Sequence, residues 1–236
     1  MEQPLYEARR GLDQYEAILP HFQNKTLFQI IDAAIVEQGS VSVADLGAGE
    51  FIFAEACHTH PHWKNKVQVT GISLHKLITD ERLEYLKSLG VSCQFIRTEQ
   101  AQQAFSSQFD LVTSVFTDIY DPGTNYPYVA WEILHHGGIA LLDNVHGRGQ
   151  FSEWRLIEQQ LHKQGYNLEF HNQKVTQATL GSNVYLKEYE RLQKELPDYQ
   201  PKPISLQYSA ALSFKKDNQL PNIGIALNSF LPLENQ

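Results

Sequence analysis

The chain has 236 residues and a hydrophobic fraction of 42%, enough for one domain with a sizeable core and too apolar for intrinsic disorder. Its 19 Lys and Arg against 27 Asp and Glu leave a formal net charge of −8, which argues against binding nucleic acid, since a phosphate backbone needs clustered cations. No apolar run approaches the roughly 18 residues of a membrane span, and the opening stretch "MEQPLYEARRGLDQYEAILP" lacks the charged-then-apolar pattern of a signal peptide. Two cysteines, Cys57 and Cys93, sit in apolar surroundings without metal-type spacing and read as reduced core residues. The expectation is a cytoplasmic protein without membrane partners.

In chain order, apolar residues first recur at three- and four-residue steps over 5–19 and 22–38, predicting two helices broken at Pro20. Strand-like and helix-like segments then alternate, the pattern of parallel βαβ units. The predicted strands are 41–46, 67–72, 92–97, 109–116 and 139–144; the helices between and after them are 52–58, 78–89, 126–135 and 151–164. Residues 166–171 alternate as a strand, and 204–214 read as a long strand that partners it. The material between these two strands reads as an insertion of about 172–203, with a Lys/Glu-rich helical stretch and the proline-punctuated "LPDYQPKP". The organisation expected is a helical cap over 1–40 and one α/β domain over 41–236, a doubly wound, Rossmann-like, mostly parallel sheet of seven strands.

The most informative stretch is "ADLGAGE", which follows the first strand and opens a helix. Gly47 suits a tight turn and Gly49 lets a ligand approach the backbone. N–H groups at a helix start attract an anionic group, while Asp45 at the strand end can accept a hydrogen bond from a cationic amine. One acceptor beside several donors suits a zwitterionic amino acid tail better than a pyrophosphate.

Here the sequence resembles the class I S-adenosylmethionine-dependent methyltransferases. Their first motif, an acidic residue then x-Gly-x-Gly-x-Gly, is matched by Asp45, Gly47 and Gly49. "FDLVTSVF" resembles the family's fourth strand, and "WEILHHGGIALLDN" its helix, glycine pair and fifth strand. The resemblance runs from about residue 41 to 164. It implies S-adenosylmethionine as cofactor, methyl transfer to a small-molecule acceptor, and the seven-stranded sheet of that family. Two residues depart from the pattern. Phe51 replaces the third glycine, whose role in the related dinucleotide turn is helix–strand packing; Ser73 stands where an acid usually binds the ribose hydroxyls. Glu99, in the loop after the third strand, matches the adenine-side polar position.

Ligands of open α/β sheets bind beyond the carboxyl ends of the strands. That edge carries Asp118, Tyr120 and Asp121 after the fourth strand, and Asp143, Asn144 and His146 after the fifth. His146 is the general-base candidate because its ordinary pKa is near neutral; Asp121 is the second catalytic candidate. "GGIALLDNVHGRGQF" resembles the corresponding segment of metal-dependent O-methyltransferases, which implies a Mg²⁺ ion held by Asp143, Asn144 and Asp118, hard oxygen ligands of the kind Mg²⁺ takes. The Asp-x-x-Lys usual there is missing, and the alternative is that Asp143 and Asn144 cap the strand end. "NYPY", residues 125–128, resembles the Asn-Pro-Pro-Tyr of base-directed methyltransferases but has Tyr126 in place of a proline and lies too far beyond the strand; Pro127 reads as a helix start. The histidines of "CHTHPHW", and His135 with His136, read as helix ends. Against the enzyme stands a second reading, a binding or scaffold protein that kept the fold and lost the ribose acid. The sequence is silent on oligomeric state.

Overall fold

Runs of β-branched and apolar residues separated by amphipathic segments build the sheet. In the computed structural model, the described residues are 11–74, 76, 78–115, 124–145, 151–173 and 209–230, with the side chains of 144, 145, 151–153, 172, 173, 209 and 210 excepted. The parallel strands are β1 (Val41–Leu46), β2 (Val67–Ser73), β3 (Ser92–Phe95), β4 (Phe109–Ser114) and β5 (Leu134–Val145). They are followed by β6 (Asn167–Gln173) and β7 (Ser209–Lys215), with β7 antiparallel to both β5 and β6. The sheet order is β3-β2-β1-β4-β5-β7-β6. The expected seven strands are all present, and the sixth pairs with the last as the alternation predicted.

The helices are α1 (Leu12–Ile18), α2 (Leu27–Gln38), α3 (Ile52–Thr59), α4 (Asp80–Ser88), α5 (Thr98–Ala104), α6 (Tyr126–Ile133), α7 (Phe151–Lys163) and α8 (Ile223–Asn228). Because successive strand residues point to opposite faces, β1 sends Val41 and Val43 into one core and Ala44 and Leu46 into another. The first core takes Tyr15 and Ile18 of α1, Leu27 and Ile31 of α2, and Phe53 of α3. The second takes Ala101 of α5, Trp131 of α6, Trp154 of α7 and Ile223 of α8. Helices on both faces of a mostly parallel sheet make this a doubly wound α/β fold.

Four local expectations are corrected. The second helix starts at Leu27, not residue 22, because Phe22 and Lys25 close a tight bridge with Gln23 and Asn24 in left-handed conformations; Thr26 then caps the helix reciprocally with Gln29. Helix α6 ends at Ile133, and β5 begins at once. His135 and His136 are therefore strand residues; His135 bonds Asp110, and His136 Nδ1 accepts from the Asn218 N–H at 3.3 Å. Gly138 fits this crowded strand start because a Cβ there would lie 3.0 Å from the Phe109 carbonyl oxygen. Helices α5 and α8 were not foreseen: α5 buries only Thr98 and Ala101, too few residues to show a period. The insertion over 172–203 lies almost wholly outside the described residues.

Candidate functional site

The turn after β1 is held to β2 by its own backbone. Gly47 and Gly49 have φ of 77° and 54°, where an ordinary side chain costs roughly 1–2 kcal/mol. The N–H groups of Gly47 and Ala48 donate to the Ile72 carbonyl at 2.8 and 3.0 Å. These two donors stitch the turn to β2. Helix α3 then starts at Phe51 without a side-chain cap, so its positive end is left to its first-turn N–H groups. Among the described residues, a Cβ placed on Gly49 would meet nothing nearer than the Gly47 carbonyl at 4.0 Å. Packing therefore does not demand glycine there; the backbone angle does.

Phe51 occupies the third glycine's position in a left-handed conformation, φ 61°, and is fully buried. Its ring lies over Gly71 of β2, where a Cβ would come within 2.3 Å of Phe51 Cδ1, and meets Phe95 edge-on at 5.6 Å. The glycine absent from the turn is thus matched by a glycine on the neighbouring strand, beneath the ring that replaced it.

Asp45 is fully buried. A carboxylate removed from water needs donors, and two hydroxyls supply them. Tyr15 of α1 donates to both oxygens at 3.0 and 3.1 Å, and Thr113 of β4, Asp45's register neighbour, donates to Oδ1 at 3.1 Å. The Tyr15 ring stacks on Phe53 at 4.1 Å. Burial pushes the nearby Cys57 thiol well above its ordinary value, and the Asp45 carboxylate adds to that. Sequence reasoning missed Tyr15 and Thr113. Thr113 had a signal, a hydroxyl inside the apolar "FDLVTSVF"; Tyr15, 30 residues from Asp45, had none.

Ser73 closes β2 and is buried, paired in register with Phe95. Asp143 is buried near the carboxyl end of β5. Both lie two residues beyond the row that joins Gly71, Asp45, Thr113 and Leu141. They are three strand spacings apart, roughly 14 Å at about 4.8 Å per strand, so they flank the glycine turn and do not touch. Glu99 is corrected from a loop to the first turn of α5, exposed, where it accepts a hydrogen bond from the Thr124 hydroxyl at 2.7 Å. Asp118, Tyr120, Asp121 and His146, and the Asn144 side chain, lie outside the described residues. Among the described residues no three His, Cys, Asp or Glu side chains come together to hold a metal ion.

Two other polar groupings look like chemistry and are not. His171 Nε2 meets the buried Ser213 hydroxyl at 3.2 Å and Glu169 at 3.6 Å. Serine and acid address the same ring nitrogen, whereas a relay needs them on opposite ones. At the other end of the sheet, Asp110 joins β1 to β5: it accepts from the Ser42 hydroxyl and N–H at 2.6 and 2.7 Å and pairs with His135. Nothing there faces the glycine turn.

No family model and no curated protein matches the sequence. Solved structures do resemble the fold. A Galdieria sulphuraria protein provisionally named a sarcosine dimethylglycine methyltransferase is 12% identical, with 80% of this chain and 84% of that one covered and a TM-score of 0.49. The [4+2]-cyclase SpnF is 13% identical, with 86% and 91% covered and a TM-score of 0.48. The 1,6-didemethyltoxoflavin-N1-methyltransferase of Burkholderia thailandensis, solved with its substrate and S-adenosylhomocysteine, is 14% identical, with 80% and 77% covered and a TM-score of 0.45. Likenesses this distant concern architecture alone. No helix among the described residues is long and apolar enough to cross a membrane. With its glycine turn at the end of the first of seven mostly parallel strands, the chain has a doubly wound, Rossmann-like α/β fold.

Proposed function

We propose that this protein transfers a methyl group from S-adenosylmethionine to a small-molecule acceptor. The observation that carries this reading is the turn at Gly47 and Gly49, open above Gly49, at the carboxyl edge of the sheet with the end of α3 beside it. S-adenosylmethionine supplies the methyl group on a sulfonium, already activated for in-line displacement. The chain's own work is then to bind, align and exclude water, since alignment accounts for much of the rate in such a reaction. The α3 terminus and the Gly49 backbone take the carboxylate of the amino acid tail, Asp45 takes its ammonium group, Ser73 bonds the ribose, and Glu99 lies toward the adenine. His146 and Asp121 are the proton-handling candidates, His146 as base for a hydroxyl or amine acceptor. The helices within 1–40 and the segment 172–203 shape the acceptor pocket.

A second reading, a non-catalytic binding protein, is favoured by one observation: the acid expected at the ribose is the buried Ser73. Calorimetric titration of the full chain with S-adenosylmethionine, with and without Mg²⁺ and beside Ser73→Asp, separates the two. Saturable binding, tightened about tenfold by the new carboxylate, supports the first reading, because charged hydrogen bonds contribute about 1.5–3 kcal/mol. Dependence on Mg²⁺ would bring in Asp118, Asp143 and Asn144 as ligands. A folded protein that binds no cofactor at millimolar concentration is no methyltransferase.

A further inference from the structure

The N-terminal helix reaches into the site. Tyr15 is the residue of α1 that points at the end of β1. Its hydroxyl spans both oxygens of Asp45 at 3.0 and 3.1 Å, and its ring stacks on Phe53 of α3, nearly parallel at 8°. Together they leave Asp45 with no accessible surface and Tyr15 only 5% exposed. A carboxylate has about four acceptor sites on its two oxygens. Tyr15 and Thr113 hold the inward ones, and no cationic amine can touch Asp45 while α1 stays docked.

Helix α1 is short. It has seven residues, a Gly11 N-cap whose N–H donates to the Gln14 side chain at 3.0 Å, and no basic residue in its last turn. Helices this short are marginal without tertiary contacts. Its tethers among the described residues include the Tyr15 bond, the core contacts of Leu12, Tyr15, Ile18 and Leu19, and Glu16, which accepts from the Phe28 N–H at 2.9 Å. Tyr15 and Ile18 share one face and Glu16 lies about 100° round the helix, so withdrawing Tyr15 from Asp45 breaks contacts on both sides of α1.

We propose that Tyr15 is the specificity gate of the amine subsite: its hydroxyl holds the place on Asp45 that the ammonium group of an amino acid–bearing ligand takes, so ligand entry and release of α1 are one exchange. This rests on the reading of Asp45 as the amine acceptor. The exchange selects ligands, because only a cation compensates the buried carboxylate for the lost phenol. A nucleoside that lacks the amino acid tail leaves the latch closed.

The test uses the full chain, S-adenosylhomocysteine, and 5′-methylthioadenosine as the tail-less probe. Tyr15→Phe keeps the ring stacked on Phe53 and removes the competing hydroxyl. It is expected to tighten S-adenosylhomocysteine binding about tenfold, the worth of one hydrogen bond to a charged group, and to leave 5′-methylthioadenosine unchanged. In the unmutated protein, hydrogen exchange of the α1 amides is expected to speed up with S-adenosylhomocysteine and not with the tail-less probe. If Tyr15→Phe binds S-adenosylhomocysteine no more tightly, or if that ligand slows exchange across α1, the gate is refuted while cofactor binding stands. If neither protein binds either nucleoside although both melt cooperatively, the gate and the cofactor reading fall together.

Discussion

The pairing of Phe51 with Gly71 makes a prediction that can be worked through in numbers. Phe51 is fully buried and left-handed. Phe51→Gly removes a core aromatic, about 3–5 kcal/mol, and releases backbone strain of roughly 1 kcal/mol, for a net loss of about 3 kcal/mol. Gly71→Ala puts a methyl group 2.3 and 2.6 Å from two carbons of the Phe51 ring and 2.9 Å from the Ala48 Cβ. Carbon atoms sit comfortably at about 3.5–4.0 Å, so the ring must shift by more than 1 Å in a closed core, at about 2–3 kcal/mol. In the double variant the methyl enters the space the ring vacated, and only the 2.9 Å approach to the Ala48 Cβ remains. The combined loss should therefore be about 3 kcal/mol where independent sites would add to about 5–6, a coupling of about 2 kcal/mol. Urea unfolding of the four proteins at constant slope measures this, and a Tm series should show it as a recovery of about 4–8 °C. Additivity within 0.5 kcal/mol would show that the ring and the glycine do not constrain each other.

Three further outcomes follow from the same structure. Gly49→Ala is expected to cost about 1 kcal/mol of stability from its left-handed backbone, since its methyl group would meet no atom within 4.0 Å; cofactor affinity should fall by far more, and equal losses in melting and titration would deny that a ligand approaches there. Burial raises the Asp110 carboxyl, but the hydrogen bonds from Ser42 and the pairing with His135 outweigh it and hold it below its ordinary value of 3.8. Its contribution is therefore complete above that value and lost as pH falls through the lower folded one, so Asp110→Asn should flatten the acid side of a Tm–pH profile below about pH 4; parallel profiles would refute the linkage. Cys57 is buried with a raised thiol, so iodoacetamide at pH 8 should leave it unmodified by mass spectrometry until denaturant is added, and labelling in the native protein would show that the wall behind Asp45 opens.

Much of the fold was legible because its signals are local. Period-two and period-3.6 patterns, Pro20, Gly39 after α2 and the glycine turn each act over a few residues, and together they place seven strands in an α/β order. The same short range explains the misses. Helices α5 and α8 are too short to carry a period, and α5 is lightly buried as well. The 134–138 stretch holds two histidines and two glycines, and β4 on one side and the Lys216 backbone on the other make it a strand start.

The amino-acid order settled where β1 ends, that a glycine turn follows it, and that an acid stands at its carboxyl edge, because hydrophobic alternation and glycine's backbone freedom are properties of neighbours in the chain. Tertiary structure alone decided who meets that acid. Tyr15 lies 30 residues before it and Thr113 lies 68 after it, and Gly71 answers Phe51 from the adjacent strand. These partners are chosen by strand order and helix docking. A buried carboxylate dictates that donors must come, and only the packed sheet says from where.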